Sequence, residues 1–374
     1  MRIAEFALER YFARWEFAAE HLLCASDVQG VPMADLLALA DDETRALWDG
    51  LALGYTESTG HPLLRHEIAR LYESIDPDEV LTFAGAEEAI FCLVNVLVGP
   101  GDHVIATWPG YQSLYEIARA TGADVTLHEL HESTDWALDL DLLRRQLTPA
   151  TRLIVVNLPH NPTGTLPDRA TYDALVAIAA EAGAHLLIDE VYRGLEFDEA
   201  DRLPTGADAL PRGISLGVMS KAFAMAGLRL GWLASRDRDL LSRIEAFKDY
   251  TTICSSAPSE ILSIIGLRAK GQILGRSRGI LTANLELLDA FFEEWSDRFA
   301  WVRPRAGSIG FPRLTVPGVR IDDFAADLVQ AEGVLLLPGS QFGYPGNHFR
   351  LGFGRTDLPK ALARLESFAH RTLR

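Results

Sequence analysis

The sequence predicts an α/β fold followed by a smaller C-terminal α+β subdomain. The first observation is a mostly apolar run, Arg152 to Asn157, which is bounded by polar residues as in a buried parallel strand. A helical pattern from Thr171 to Ala182 then leads to a second buried strand, His185 to Ile188. The third observation is a set of short strand patterns, including Ile309 to Val316, around a helical pattern, Ile321 to Glu332, near the C-terminus.

Length and composition limit the class of protein. With 374 residues, the chain can form two or three domains, or one large α/β unit with an appendage. Hydrophobic residues make up 48% of it, but no run approaches the roughly eighteen apolar residues of a membrane span. The net charge of −17 argues against nucleic acid as the main partner.

The cysteines and the N-terminus indicate a cytoplasmic protein. Cys24, Cys92 and Cys254 are far apart and odd in number, so they form neither a disulfide framework nor a zinc pattern and are expected to be reduced thiols. The first residues carry an acid early and lack the apolar core of a signal peptide.

The N-terminal region predicts helices and one loop. Residues 5–24 space large apolar side chains among charges, as in one or two amphipathic helices that serve mostly for packing. Asp35 to Gly50 predicts a single helix that ends at glycine. Gly, Ser, Thr and Pro then mark residues 53–65 as a loop before a helix.

A strand-to-helix turn follows. Val80 to Phe83 predicts a strand, and an apolar helix runs from the next residues to Val98. Gly85, Ala86 and Glu87 occupy the turn, where small residues let backbone N–H groups approach an anion at the helix N-terminus. Many α/β turns contain small residues, so this pattern alone indicates a phosphate site only weakly.

A histidine-containing segment raises the question of a metal site. His103 to Thr107 predicts a strand, and Asp124 to Leu127 alternates as another strand before residues 128–132, His-Glu-Leu-His-Glu. This segment lacks the helical His-Glu-x-x-His pattern of a zinc site. We interpret it as a solvated strand end, and we predict no metal.

One segment places two cations in uncharged surroundings. Between Gly217 and Trp232 the charged residues are Lys221 and Arg229, among small and apolar neighbours. Buried cations are costly unless they are paired, and desolvation lowers the pKa of a lysine toward the range in which it is a nucleophile. A core segment with an incidental lysine is the alternative.

This segment resembles the lysine motif of class I and II aminotransferases, the fold-type I enzymes that use pyridoxal 5'-phosphate (PLP). The resemblance implies that Lys221 forms the Schiff base with PLP, that the neighbouring Ser220 also contacts the cofactor, and that Arg229 binds the phosphate. Val218 stands where the family usually has Ser or Gly, so one hydroxyl contact to the phosphate is not predicted.

Further motifs follow in the family's order. The turn at Gly85, Ala86 and Glu87 matches its phosphate-binding turn, and Tyr111 matches the aromatic residue that stacks on the pyridine ring. Asn161, in an Asn-Pro-Thr-Gly sequence, matches the asparagine that bonds the 3'-oxygen of PLP.

The end of the second buried strand carries an Asp-x-x-Tyr motif. By resemblance Asp189 pairs with the pyridinium nitrogen, which keeps the ring an electron sink, and Tyr192 contacts the 3'-oxygen. An Asp-Glu pair at a strand end could instead bind a metal or cap a helix. The spacing from Asp189 to Lys221 favours the family's arrangement.

Two residues extend the resemblance toward the partner subunit and the substrate. Tyr55, in a Tyr-(x)4-Gly-(x)3-Leu-Arg sequence, matches the tyrosine that reaches the PLP phosphate of the other subunit; a surface turn is the alternative. Arg350, in the strand pattern 349–353, matches the arginine that holds the substrate α-carboxylate; an arginine in a surface salt bridge is the alternative.

The resemblance covers Tyr55 to Phe353 and implies an architecture. It implies a large domain with a mostly parallel sheet flanked by helices, a small domain built from both termini, and a homodimer with shared active sites. We place an N-terminal arm and part of the small domain in residues 1–45, the PLP-binding domain in residues 46–270, and the remaining small domain in residues 271–374.

The implied function is a PLP-dependent aminotransferase. Such an enzyme moves an amino group between an L-amino acid and a 2-oxo acid through an aldimine of PLP with Lys221, and the released Lys221 acts as general base. Related enzymes use the same residues for elimination, cyclisation or oxidation. Residues 8–12 and 218–221 also resemble capreomycidine synthase-like members, which cyclise a hydroxylated arginine. A PLP-binding transcription regulator is disfavoured, because the motifs begin by Tyr55 and the charge opposes DNA.

Overall fold

The computed structural model describes residues 2–373, which contain fourteen α-helices and twelve strands. The helices are α1 (Ala7–Trp15), α2 (Met33–Ala38), α3 (Asp42–Asp49), α4 (Pro62–Ala69), α5 (Ala86–Leu97), α6 (Ser113–Thr121), α7 (Leu140–Gln146), α8 (Arg169–Ala182), α9 (Gly206–Ala209), α10 (Arg238–Lys248), α11 (Ala257–Arg268), α12 (Lys270–Glu294), α13 (Ile321–Glu332) and α14 (Leu358–Thr372). The strands are β1 (Val80–Phe83), β2 (His103–Trp108), β3 (Asp124–Glu129), β4 (Thr151–Asn157), β5 (His185–Asp189), β6 (Gly213–Val218), β7 (Gly231–Ala234), β8 (Phe299–Ala300), β9 (Ile309–Gly310), β10 (Arg313–Leu314), β11 (Leu337–Pro338) and β12 (Phe349–Gly352).

Seven strands form the central sheet, in the order β1-β7-β6-β5-β4-β2-β3. Strands β3, β2, β4, β5 and β6 run parallel, whereas β7 is antiparallel to both of its neighbours, β6 and β1. Asn157 at the end of β4 pairs with Asp189 at the end of β5, which places both residues at the carboxyl edge. That edge is where α/β folds bind ligands. The predicted mostly parallel sheet is confirmed.

Both faces of this sheet are buried under helices. Ile154 and Leu186 belong to one apolar cluster, whereas Val155 and Leu187 belong to another. Successive side chains of a strand point to opposite faces, so these neighbours pack into cores on the two sides of the sheet. The continuous apolar runs of β4 and β5 therefore fit strands covered on both sides.

The C-terminal region forms two small antiparallel sheets, β11-β12-β9 and β10-β8. The N-terminal segment joins this region, since His21 forms a parallel bridge with Val334 and accepts a hydrogen bond from the Leu335 N–H (2.9 Å). The predicted α13 is present over the predicted residues. The predicted strand 309–316 is instead divided into β9 and β10.

Other local predictions differ from the structure. The single helix predicted for residues 35–50 is two helices, α2 and α3, because the Asp41 carboxylate caps α3 by accepting the Thr44 N–H (2.8 Å). Strands β6 and β7 were not identified from sequence. They contain Gly213, Gly217 and Gly231, and glycine lowers strand propensity. Within residues 2–373, no helix combines the length and apolar character needed to cross a bilayer.

Candidate active site

A cavity of about 340 Å³ opens at the carboxyl edge of the central sheet. Ten of the residues singled out from sequence line it: Ala86, Glu87, Tyr111, Asn161, Asp189, Tyr192, Ser220, Lys221, Arg229 and Arg350. They come from positions up to 264 residues apart along the chain, and the sheet topology brings them together because their strands end at one edge.

Asp189 ends β5 with a side chain that is 5% exposed. Its carboxylate accepts a hydrogen bond from the Val191 N–H (3.2 Å). Burial raises the pKa of Asp189 to about 7, although this hydrogen bond and the positive charge of Lys221 act in the opposite direction. The hydrogen bond and the charge of Lys221 do not offset the desolvation of this buried carboxylate. It is therefore suited to pair with a cationic ligand group such as a pyridinium.

Lys221 follows β6 and directs its amine into the cavity. Its Nζ donates a hydrogen bond to Ser26 Oγ (2.8 Å), a residue of the N-terminal segment. Burial lowers the pKa of the Lys221 ammonium, and the nearby Asp27 carboxylate partly opposes this effect. A lowered pKa makes the neutral, nucleophilic amine more available.

The turn before α5 and the guanidinium of Arg229 form an anion site. Arg229 has a left-handed backbone (φ 48°) and donates to Ser220 Oγ (3.4 Å). A Cβ at Gly85 would lie 2.7 Å from Arg229 Nη2, and Gly85 itself has φ 90°, so the close approach requires glycine. The first N–H groups of α5, at Ala86 and Glu87, have no acceptors within the helix. A phosphate fits these donors.

A chain of hydrogen bonds holds Asn161 beside the sheet. The Asn161 N–H donates to Asn157 Oδ1 (2.6 Å), and Asn157 Nδ2 donates to the Asp189 carbonyl (2.8 Å). From the sequence, Asn157 was identified only as the end of a strand. The available signal was a polar side chain at the carboxyl end of an apolar run, and Asn157 is 2% exposed.

Two tyrosines face the same cavity. The Tyr192 side chain is 1% exposed, and its hydroxyl has no hydrogen-bond partner within residues 2–373. A buried polar atom without a partner is costly, so this hydroxyl is suited to a ligand oxygen. Tyr111 is half-buried beside the ring of Phe6 (5.1 Å between centroids) and donates to Glu9 Oε1 (3.5 Å).

Arg350 lies on β12 and is 1% exposed. Its Nε donates to the Cys24 carbonyl (3.0 Å), and its Nη1 donates to Asn161 Oδ1 (3.2 Å). Among residues 2–373 it forms no ion pair with a carboxylate, and burial lowers its pKa. The alternative of a surface salt bridge is therefore wrong. A buried guanidinium held by neutral groups is suited to bind a carboxylate ligand.

The N-terminal arm is part of the site, which corrects the interpretation that it serves mostly for packing. The arm contributes Leu8, Glu9, Phe12, Glu16, Ser26 and Asp27 to the cavity wall. Helix α1 is anchored by the Tyr11 hydroxyl, which donates to the Leu336 carbonyl (2.8 Å). One or two helices were predicted for residues 5–24, and the structure has one, α1, which ends at Trp15.

Two remaining predictions concern residues outside the cavity. Tyr55 is 91% exposed and does not line the cavity of its own chain, so its role toward a partner subunit stays a prediction. The interpretation of residues 128–132 as a solvated strand end is wrong at His128, which is buried and bonds Gln146 Oε1 through Nδ1 (2.7 Å). The described part of the chain contains no cluster of three or more potential metal ligands.

The sequence profile of the family "Aminotransferase class I and II" matches residues 22–365. The chain belongs to the class I and II aminotransferase family. It is an enzyme of the transferase class, and the cofactor of this family is PLP. The buried Asp189, the unpartnered Tyr192 hydroxyl and the anion site at Gly85 fit that cofactor.

Two solved structures and one relative are similar to this chain over nearly its whole length. A PLP-dependent aminotransferase from Streptococcus suis superposes with a TM-score of 0.93 at 32% identity, covering 99% of each chain, which confirms the fold-type I architecture. The PLP-dependent cyclase OrfR superposes with a TM-score of 0.90 at 27% identity, over 100% of this chain and 98% of that one. Capreomycidine synthase from Streptomyces vinaceus is 31% identical over 360 residues, 95% of this chain and 91% of that protein.

Proposed function

We propose that this class I and II aminotransferase transfers an amino group between an L-amino acid and a 2-oxo acid, with Lys221 as its catalytic lysine. The observation that carries the proposal is one cavity lined by the amine of Lys221, the buried carboxylate of Asp189 and the buried guanidinium of Arg350. Amino-group transfer on PLP needs an amine that bonds the cofactor, a carboxylate that pairs with its ring nitrogen and a cation that binds the substrate carboxylate. The three groups supply these in that order.

The proposed cofactor contacts divide among three parts of the cavity. Arg229, Ser220 and the N–H groups after Gly85, at Ala86 and Glu87, hold the phosphate. Asp189 pairs with the pyridine nitrogen, and Tyr111 covers a face of the ring. Asn161 and Tyr192 contact the 3'-oxygen, for which the unpartnered Tyr192 hydroxyl is support.

When bound, PLP withdraws electrons from the Cα atom of an attached amino acid and so makes its proton acidic. Lys221 then has two tasks. Its amine would bond the cofactor, and once released it would accept the Cα proton at Nζ and donate that proton to a carbon of the cofactor. The lowered pKa of Lys221 supports this use as a base, and the hydrogen bond to Ser26 aims the amine.

Arg350 orients the substrate. A planar guanidinium binds a carboxylate with two parallel hydrogen bonds, which fixes the direction of the Cα–H bond relative to Lys221. Asn161 and the Cys24 carbonyl already hold two of its nitrogens, so little side-chain freedom is lost when the substrate binds.

A homodimer completes the proposal, with Tyr55 of each subunit reaching the other subunit's phosphate site. Its support is an exposed apolar surface around Leu53 (87% exposed), Tyr55 (91%) and Tyr250 (90%). The Thr56 hydroxyl donates to the Ser255 carbonyl (3.2 Å), which joins the two loops that carry these residues. Exposed apolar patches commonly mark protein interfaces.

The compartment and the domain division are proposals as well. We place the enzyme in the cytoplasm, for which the three free cysteines Cys24, Cys92 and Cys254 are the support. We propose the division into residues 1–45, 46–270 and 271–374, in which the first and last parts form the small domain. The bridge between His21 and Val334 supports that pairing of the termini.

A PLP-dependent cyclase, lyase or oxidase acting on an amino acid is the second candidate. The similarity to capreomycidine synthase over 95% of the chain favours it, and the same cofactor contacts serve both. The two candidates differ in the product that leaves the site.

Product analysis distinguishes them. The PLP-loaded enzyme is incubated with single L-amino acids, with and without a 2-oxo acid acceptor, and products are identified by mass spectrometry. An aminotransferase gives a 2-oxo acid from the donor and a new amino acid from the acceptor, in equal amounts. Ammonia, hydrogen peroxide or a cyclised product without acceptor dependence would instead establish the second candidate.

A further inference from the structure

The cavity wall carries more acidic than basic side chains. The carboxylates are Glu9, Glu16, Asp27, Glu87 and Asp189, and the cations are Lys221, Arg229 and Arg350. Asp189 is assigned above to the cofactor ring, and Glu87 accepts a hydrogen bond from the Ser113 hydroxyl. The remaining three carboxylates all belong to the N-terminal segment.

Two of these three carboxylates are not neutralised by the protein. Asp27 forms an ion pair with Arg355 (2.9 Å). Glu9 accepts only a long hydrogen bond from the Tyr111 hydroxyl (3.5 Å), and the Glu16 carboxylate has no hydrogen bond or ion pair within residues 2–373. Burial raises the pKa of Glu16, and the negative charges of Asp27 and Glu9 raise it further. The positive charges of Arg355 and Lys221 lower this pKa but do not cancel the increase. A cation between these groups would relieve the repulsion.

Separate observations identify the same cavity as a ligand site. Within residues 2–373 the Arg350 guanidinium, 1% exposed, has no carboxylate partner, and the buried Tyr192 hydroxyl has no hydrogen-bond partner. Arg350 also lies against the ring of Phe12 (5.7 Å), a residue of α1, the helix that carries Glu9. Arg350 therefore lies next to Glu9 and Glu16, which together we call the acidic wall. The apolar surfaces of Phe12 and Leu8 line the same side of the cavity.

We propose that the amino-acid substrate has a cationic side chain, a guanidinium or a second ammonium group, which Glu9 and Glu16 bind while Arg350 binds its α-carboxylate. The proposal rests on the function proposed above and names its substrate class. The alkyl part of such a side chain can pack on Phe12 and Leu8. Acidic substrates are disfavoured, because their side-chain carboxylate would meet Glu9 and Glu16.

Binding measurements with matched amino acids test the proposal. Dissociation constants for the PLP-loaded enzyme are measured by absorption titration with L-arginine and its neutral analogue L-citrulline, with L-lysine and L-norleucine, and with L-glutamate. We expect each cationic amino acid to bind about tenfold or more tightly than its neutral analogue, since a charge-assisted hydrogen bond contributes that much. L-glutamate is expected to bind most weakly.

Three variants locate the effect. Glu9→Gln and Glu16→Gln keep the shape of the side chain and should each reduce the preference for L-arginine over L-citrulline severalfold, through a higher dissociation constant for L-arginine, with L-citrulline binding unchanged. Glu5→Gln, on the exposed start of the same arm and outside the cavity wall, is the matched control and should keep the wild-type preference. Thermal denaturation midpoints of the three variants show whether the arm has retained its structure.

The proposal and the function on which it rests can fail separately. Equal binding of L-arginine and L-citrulline by the wild type, or an unchanged preference in both Glu9→Gln and Glu16→Gln, overturns the substrate class. A charge preference that disappears in these variants while no amino acid yields a 2-oxo acid supports the substrate class and rejects amino-group transfer.

Discussion

At the scale of single residues, the site depends on groups whose ionisation the protein has altered. Burial lowers the pKa of Lys221 and raises the pKa of Asp189 to about 7, so both buried groups are shifted toward their neutral forms until a partner binds. Burying these two groups costs free energy of desolvation, and a cofactor with a cationic ring nitrogen offsets part of that cost by pairing with Asp189.

Replacing the lysine tests its assignment. Lys221→Ala should lower the rate of amino-group transfer by about a thousandfold or more, because both the bonding amine and the base are lost. Borohydride treatment followed by peptide mapping should fix PLP on the peptide containing Lys221 in the wild type only. Fixation of PLP on that same peptide in the variant would refute the assignment. Lys360→Ala, at an exposed position of α14 outside the cavity wall, is the matched control.

The raised pKa of Asp189 predicts how the free energy of unfolding depends on pH. Its pKa is raised on folding, so between about pH 4 and pH 7 the folded cofactor-free chain binds more protons at this group than the unfolded chain does. The contribution of Asp189 to the free energy of unfolding therefore falls as pH rises through this range. Glu190 and Glu260, also raised to about 7, contribute in the same direction.

Urea denaturation of cofactor-free protein at pH 5 and pH 8 measures this dependence. Asp189→Asn should lose less stability than the wild type between the two pH values, because the group that titrates has been removed. Asp239→Asn, an acidic residue on the exposed start of α10, serves as the control and should keep the wild-type difference. An identical pH dependence in wild type and Asp189→Asn would contradict the raised pKa.

At the scale of elements, the N-terminal segment matters because it crosses β12 at very close range. A Cβ at Gly352 would lie 1.9 Å from the Ala25 carbonyl oxygen, and the Gly352 N–H donates to the Leu23 carbonyl (3.1 Å). The next residue along the segment, Ser26, is the hydrogen-bond partner of Lys221. The position of the Lys221 amine is therefore tied to the packing of this segment.

Gly352→Ala should displace residues 23–26 and destabilise the protein by about 2 kcal/mol or more, as overpacking does. Amino-group transfer should fall as well, because Ser26 moves away from Lys221. Urea denaturation and the rate with a saturating donor measure the two effects. The control is Gly271→Ala, where nothing lies within 4 Å of an added Cβ on α12. If Gly352→Ala retained wild-type stability, the close packing inferred here would be wrong.

At the scale of the whole molecule, the proposed dimer makes each active site a product of two chains. Lys221, Asp189 and Arg350 meet within one chain, whereas Tyr55 is exposed on its surface. A site shared in this way can be reconstituted from two subunits that are each defective.

Mixed dimers test the shared site. Tyr55→Ala and Lys221→Ala subunits are each expected to be nearly inactive as homodimers. After co-expression, about half of the dimers should be hybrids with one intact site, which gives about a quarter of the wild-type activity. Activity no greater than the average of the two homodimers would place Tyr55 outside the partner's site. A mixture of Lys221→Ala and Asp189→Ala subunits is the control, because both changes affect the same chain's site.

Much of the candidate site was predictable because its signals are local. Asp189 ends an apolar strand, and Lys221 and Arg229 interrupt an uncharged segment, so neighbouring residues alone single them out. The parallel sheet followed from the same strand patterns, since the carboxyl ends of β4 and β5 had to share an edge. The division of residues 35–50 into two helices was missed because the Asp41 cap lies inside an otherwise helical pattern.

The sequence by itself determined the α/β class, the order of the motifs and the family to which they belong. The tertiary structure alone decided which further residues complete the cavity, since Ser26 meets Lys221 across 195 positions and Cys24 meets Arg350 across 326. The acidic wall of Glu9 and Glu16 likewise exists only once α1 packs against the C-terminal sheet. Contacts of this kind depend on how distant segments pack against each other. The periodicity of apolar residues along the sequence predicts helices and strands but not these long-range contacts.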